Sequence, residues 1–334
     1  MKINNLHGHV RNARRNKKVM NKIWNSKVVS FFRNSPKTTF GALLIIIILV
    51  LTIGANVFTP HDPTHRYIGE YHSTPSAAHL LGTTQLGNDI FAQTLYGGRK
   101  SITVGIFAGA ITVFLGLFFG ISSGYFGGIY DNIMTTIINI MMVIPNIVLL
   151  LIIASLLGGV SPVLICIIIG LTSWPWNARV LRAQTMSIRN REFIYSAETL
   201  GETKLRIMFV EIMPNMLSMI SSSFVSTLIY AIMAQATLEF IGFGDPLSVT
   251  WGTMLYNAQK SGALTAGMWW ELIGPIGGIV LFGTGLTLIN FSIDEISNPK
   301  LRAQRIMRAY YRIMKKHRKL KNIDGTKIQE GKSM

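Results

Sequence analysis

Residues 192–215 read EFIYSAETLGETKLRIMFVEIMPN, a polar stretch between two strongly apolar segments. It carries Glu192, Glu198, Glu202, Lys204, Arg206 and Glu211, small residues at Ser196 and Ala197, a lone Gly201 and a closing Pro214-Asn215. Segments apolar enough to cross a membrane flank it on both sides, so it reads as a loop facing water. Phe193, Ala197 and Leu200 fall at i, i+4 and i+7, one face of a short helix, with Glu192, Glu198 and Glu202 elsewhere. Gly201 then ends that helix, because glycine takes the left-handed C-terminal position without a Cβ penalty. A second short helix restarts near Thr203 and is expected to end before Pro214, which has no backbone N–H to donate. Two short helices about a glycine joint, lying outside the membrane, make a knob suited to a partner's cleft. An ordinary charged cytoplasmic loop has the same composition.

Working outward, the 334 residues are 49% hydrophobic and 14% charged, with mean hydropathy +0.38, too apolar for a soluble enzyme. The composition is that of a multi-pass membrane protein. A single cysteine, Cys166 inside an apolar run, excludes a disulfide framework and a cysteine-rich metal site. The net charge of +17 is concentrated at the ends. Residues 1–38 hold ten Lys and Arg and no acid, and 303–334 hold ten against two acids. Such segments stay on the cytoplasmic side, and because the charge abuts membrane spans the expected partner is anionic lipid, not nucleic acid.

Six spans satisfy this charge pattern, with both termini cytoplasmic. The first is 40–58, running outward. The external loop 59–100 follows, with His61, His65, His72 and His79 spread along it. No H-x-x-x-H pair sits on a predictable helix there and no carboxylate stands at a recognised spacing, so neither a metal nor a cofactor is expected. Span two is 101–123, where Gly116, Gly120 and Gly124 form a ladder for close helix approach. Span three, 133–157, contains Pro145 and should kink there. A short external turn, 158–162, leads to span four, 163–182, which ends in the cationic group Arg179, Arg182, Arg189 and Arg191. Span five, 216–235, is serine-rich, and its hydroxyls can bond within the helix or across to a neighbour. Residues 238–267 read as an external re-entrant or surface-lying segment with turns at Gly242, Gly244, Pro246, Trp251 and Gly252, in which Glu239 and Asp245 are taken as solvated loop charges. Trp269 and Trp270 suit an interfacial belt, and 271–291 is span six. The chain therefore divides into a basic arm (1–38), a six-span domain (39–298) with a cytoplasmic loop at 187–215, and a basic tail (299–334).

No G-x-x-x-x-G-K-[ST] phosphate loop is present, and no Ser-His-Asp or paired-carboxylate set shares a face. Ionisable groups are nearly absent from the span interiors, whereas an ion-coupled carrier keeps some at the midplane. The chain reads as a passive half-pore that needs an external motor, with a stand-alone channel or carrier as the alternative of another class.

The 192–215 string resembles the EAA loop of ABC-transporter permease subunits, E-[FY]-[VI]-x-A-A-x-x-L-G-x-x-x-x-R-I followed by P-N. Glu192, Phe193, Ile194, Ala197, Leu200, Gly201, Arg206, Ile207, Pro214 and Asn215 match, and Ser196 replaces the first alanine. Glu198 and Glu211 stand where basic residues and histidine are common. Residues 79–101 resemble the dipeptide and oligopeptide branch at His79, Leu81, Gly82, Thr83, Gly87, Asp89, Phe91, Gly97, Gly98, Arg99 and Ser101. Thr84 and Asn88 replace the usual Asp and Arg there, removing an expected outer-face salt bridge. LEFIGFGDP and TWGTML in 238–255 are similar to the same branch. The resemblance, covering about 30–303, implies an all-α integral-membrane protein of the type I ABC importer fold with a cytoplasmic coupling helix. It implies a second permease subunit, two ATP-binding subunits that receive Glu192, Phe193, Ser196, Ala197, Leu200, Gly201, Arg206 and Pro214, and an extracytoplasmic solute-binding protein. Oligopeptides are the implied cargo, with oligosaccharides or metal chelates as alternatives.

Overall fold

A computed structural model describes residues 36–297, so most of the basic arm and all of the basic tail lie outside the described residues. The helices in chain order are α1 (Pro36–Ile53), α2 (Ala55–Phe58), α3 (Ile90–Phe126), α4 (Gly128–Val143), α5 (Asn146–Leu156), α6 (Pro162–Arg189), α7 (Glu192–Thr199), α8 (Lys204–Arg206), α9 (Leu217–Phe240), α10 (Trp251–Lys260) and α11 (Trp270–Ser297). Among the described residues there are isolated β-bridges but no strand. Five helical stretches are long and apolar enough to cross a membrane, or six when α4 and α5, bent by 78° at their junction, are counted as one span. The bend falls at Pro145, as the sequence predicts: proline cannot donate its helical bond, and here it caps the next helix. Phe40, Leu43, Ile47 and Val50 of α1 and Phe107 and Phe114 of α3 are exposed, an apolar surface suited to lipid.

Several boundaries move. Span two begins at Ile90 instead of Ser101, because the Asp89 side chain accepts the Ala92 N–H (2.6 Å) and caps a helix that then runs unbroken to Phe126. Span four continues past Arg182 to Arg189, with Pro175 absorbed inside it. The second loop helix does not stop before Pro214. It passes from α8 through a π-helical turn (Ile207–Ile212) and a 3-10 turn (Met213–Met216) directly into α9. Wider and tighter turns on either side re-route the backbone bonds around the missing N–H.

The centre of the bundle is the α3–α6 contact. Cβ atoms built at Gly116, Gly120 and Gly124 would lie 2.7 Å from Asn177 Cβ, 2.6 Å from the Ala178 carbonyl and 2.7 Å from the Arg182 carbonyl. The glycine ladder is thus a backbone-to-backbone seam, as expected from its spacing. Beside it, α9 packs on α3 through Ala108, Ala231 and Leu238, all buried.

Glu239 corrects the sequence reading. It is not a solvated loop charge but sits at the end of α9, 1% exposed, accepting from Gln235 Nε2 (3.0 Å) and Thr250 Oγ1 (2.5 Å). Gly252 passes so close that a Cβ would collide with this carboxylate, which explains glycine in TWGTML. Trp251 is fully buried, its Nε1–H donating to the Thr94 carbonyl (3.0 Å), so α10 is packed between α3, α9 and α11 instead of lying on the surface. Thr84 and Asn88 form an uncharged pair, the Asn88 backbone N–H donating to Thr84 Oγ1 (3.1 Å).

The seam makes a direct prediction. Gly120→Leu should destabilise the protein by about 1–3 kcal/mol through overpacking, read as a lowered Tm in detergent, whereas Gly277→Leu, where a Cβ meets nothing within 4 Å, should leave Tm close to wild type.

Candidate functional site

The 192–215 loop is docked on the ends of α3 and α6 by a compact apolar cluster. Ile194 (0% exposed) and Ala197 of α7 pack against Ile121 and Tyr125 of α3, Leu181 and Ile188 of α6, and Ile207, Met208 and Ile212 of the following turns. The sequence left open which face docks: Phe193 is 38% and Leu200 81% exposed, and the buried pair is Ile194 with Ala197 at i, i+3. Leu200 lies at the C-cap, past the last full turn, where helical periodicity no longer fixes its direction.

Gly201 has φ +78°. Its N–H bonds to the Glu198 carbonyl (3.1 Å) and the Glu202 N–H to the Ala197 carbonyl (3.2 Å), the paired bonds of a helix closed by a left-handed residue, as expected. Thr203 then caps α8, its hydroxyl accepting the Arg206 N–H. Arg206 pairs with Glu202 one turn away, an exposed contact worth little by itself. The Ser196 hydroxyl bonds back to the Glu192 carbonyl (3.0 Å). Glu198 accepts from the Tyr125 hydroxyl (2.9 Å), and Lys204 and Arg189 lie over the rings of Phe126 and Tyr125. The loop is therefore fixed to α3 by polar as well as apolar contacts.

Beneath it, Arg182 of α6 grips Asp131 of α4 through two bonds, Nε to Oδ1 (2.5 Å) and Nη2 to Oδ2 (2.6 Å), and Ser123 of α3 donates to the same carboxylate (2.5 Å). Three helices are tied at the end that carries the loop. Outward, Phe193, Tyr195, Leu200, Leu205, Phe209 and Val210 are exposed among the loop's charges. Glu192, Ser196, Gly201 and Arg206 share that exposed loop, Ala197 faces inward, and Pro214 lies at the entry to α9.

A second feature escaped the sequence reading. A cavity of about 920 Å³ opens between α6, α9 and α11, lined by Asn146, Asn177, Ser222, Ser226, Thr227 and Asp294 with Trp176 and Tyr230. Asn177 Nδ2 donates to Thr227 Oγ1 (3.0 Å), Ser222 Oγ to Asp294 Oδ1 (2.6 Å) and Asn290 Nδ2 to Ser226 Oγ (2.9 Å). The span-five hydroxyls do reach across to a neighbouring helix, and the serine run at 221–223 was the legible signal. Within spans, a surface this polar needs water or a solute, not lipid.

The docking cluster predicts a separation of roles. Ile194→Ala should cost about 2–5 kcal/mol and raise hydrogen exchange across 192–206, while Leu200→Ala should change stability by no more than about 0.5 kcal/mol, both measurable on protein in detergent.

Residues 116–303 match the family described as "Binding-protein-dependent transport system inner membrane component". The chain is 30% identical over 282 residues to the oligopeptide transport system permease protein OppC of Bacillus subtilis, covering 84% of this chain and 90% of that one. It is 32% identical over 285 residues to the dipeptide transport system permease protein DppC of Haemophilus influenzae, covering 81% and 93%. The Bacillus subtilis DppC is 29% identical over 264 residues, covering 78% and 81%. With five to six helices long and apolar enough to cross a membrane and a docked loop, the chain belongs to this family and is a multi-pass permease subunit of a binding-protein-dependent ABC importer.

Proposed function

We propose that the chain forms one half of a peptide-conducting path and takes its power stroke through residues 192–215. The observation that carries this is the loop's two-sided build. Ile194 and Ala197 root it in the bundle while Phe193, Leu200 and Leu205 present apolar surface outward, as a docking knob requires. ATP-binding and substrate-binding partners follow from the family, with ATP hydrolysis in the separate subunits. Two ATP-binding subunits and a second, non-identical permease subunit complete the assembly in this reading.

Phe193 and Leu200 contact the ATP-binding subunit, Glu192, Ser196 and Arg206 set the polar rim, Ala197 seats the helix, Gly201 fixes the angle between α7 and α8, and Pro214 marks the passage into α9. Because α8 continues into α9, displacement of the knob pulls directly on a wall of the polar cavity, and rigid-body rocking opens it to either side. Dipeptide and oligopeptide names among the relatives support peptide cargo, and the hydroxyl- and amide-lined cavity suits peptide bonds. Loop 59–89 faces outward. Loop 187–215 and both basic ends, 1–38 and 299–334, face the cytoplasm around the 39–298 domain, and the ends lie on anionic lipid.

Gly201→Val should remain in the membrane, since no span changes, yet force a β-branched residue into positive φ at about 1–3 kcal/mol of strain. In vesicles containing the whole importer, peptide uptake and receptor-stimulated ATP hydrolysis should fall steeply while the receptor's peptide affinity is unchanged; wild-type coupling would reduce the segment to an ordinary loop. Orientation is checked in a Cys166→Ala background. Ser76→Cys should react with an impermeant thiol reagent from outside and Thr203→Cys should not, and the reverse pattern would invert the topology.

A further inference from the structure

His79 and Asp89, both buried, face each other in the 59–89 loop, with His79 Nδ1 2.7 Å from Asp89 Oδ2. The other ring nitrogen, Nε2, lies 2.5 Å from Glu70 Oε2. Against this pair stands His61, whose ring centroid is 5.0 Å from that of His79. Its Nε2 is 3.1 Å from the Ala78 carbonyl, which can only accept, so the proton belongs on Nε2 and Nδ1 keeps its lone pair, 2.5 Å from the Tyr67 hydroxyl. One ligand atom each of His61, His79 and Asp89 lie within 4.8 Å of one another.

The proton count gives this cluster its meaning. A neutral His79 carries one N–H but faces two carboxylates, so one carboxylate and one ring lone pair point at each other unless the ring takes a second proton or a metal cation lies between them. Ligand atoms about 2.0–2.2 Å from a tetrahedral cation stand about 3.3 Å apart, between the 2.7 Å of His79 Nδ1 to Asp89 Oδ2 and the 4.8 Å that bounds the cluster. If His79 ligates through Nδ1, its Nε2–H donates to Glu70, the outer carboxylate that orients a metal-bound imidazole. We propose that His61, His79 and Asp89 form a binding site for a divalent transition cation, with Glu70 orienting His79 and the Tyr67 hydroxyl or water as fourth ligand.

Two imidazoles with one carboxylate suit the zinc class over magnesium or calcium, which take oxygen ligands. Asp89 uses Oδ1 to cap α3 and offers Oδ2 to the cluster, so the cation would pin the outer loop to the first turn of the longest helix. Along the chain the histidines stand at no metal-ligand spacing. The fold supplies the carboxylates and brings His61 and His79 together.

Full-length protein purified in detergent without a histidine tag, stripped with chelator, is titrated with Co²⁺ and followed by visible ligand-field absorption, total-metal analysis and Tm. Wild type should bind one Co²⁺ with a tetrahedral-type spectrum, be displaced by Zn²⁺ and gain Tm. His61→Gln and Asp89→Asn, the latter still able to cap α3, should lose the spectrum, and Glu70→Gln should weaken binding about 10–100-fold. His65→Gln should bind as wild type. No stoichiometric Co²⁺ binding, or binding unchanged in both His61→Gln and Asp89→Asn, would overturn the site and leave a doubly protonated His79 bridging two carboxylates. The two variants also keep the test decisive if His79→Gln fails to fold.

Discussion

The closeness of α3 and α6 is the constraint on which the rest depends. At Gly116, Gly120 and Gly124 the two backbones approach until no side chain fits between them. A membrane interior offers no hydrophobic drive between helices, so such a seam is held by dispersion across many close atoms, and it tolerates little sliding. Because the seam is rigid, the ends of α3 and α6 keep a fixed relation to each other. That relation is what the Arg182–Asp131 pair and the Ile121, Leu181 and Ile188 cluster need in order to form a level base for α7.

The two sides of the bundle are built differently from this centre. On the loop side an apolar cluster is joined by the Tyr125–Glu198 and Arg182–Asp131 bonds, and α8 leads through the π and 3-10 turns into α9. On the other side buried carboxylates are held by hydrogen bonds. Glu239 is held by Gln235 and Thr250, and Glu271 at the start of α11 binds His72 Nδ1 (2.7 Å). These contacts tie the outer loop and α10 to the spans. Buried carboxylates are tolerated there because each has donors in place, and losing one donor would leave an uncompensated charge.

Between these ends the polar cavity lies against α9, the helix continuous with the loop, and against α11. The Ser222, Ser226, Asn290 and Asp294 hydrogen bonds cross between those two helices. They stand beside an apolar contact of Leu228 and Ile232 with Phe282 and Leu286, so this wall joins directional polar bonds to side-chain packing, whereas the α3–α6 core is backbone against backbone.

The sequence by itself determined the apolar helices long enough to cross a membrane, the break at Pro145, the close packing at the glycine ladder and the left-handed turn at Gly201. Each of these follows from local chemistry: apolar length, a missing N–H, a missing Cβ. The loop's identity was legible for the same reason, since its residues are contiguous. Tertiary structure alone decided which face of α7 is buried, because two faces were apolar and only docking on α3 and α6 selects Ile194 over Phe193 and Leu200. It alone decided that Glu239 is interior, since Thr250 and Gly252 come from a different segment, and that α8 runs on into α9 through Pro214. The histidine and carboxylate cluster of the outer loop and the polar wall of the cavity were likewise invisible along the chain, because their members meet only when distant segments are packed together.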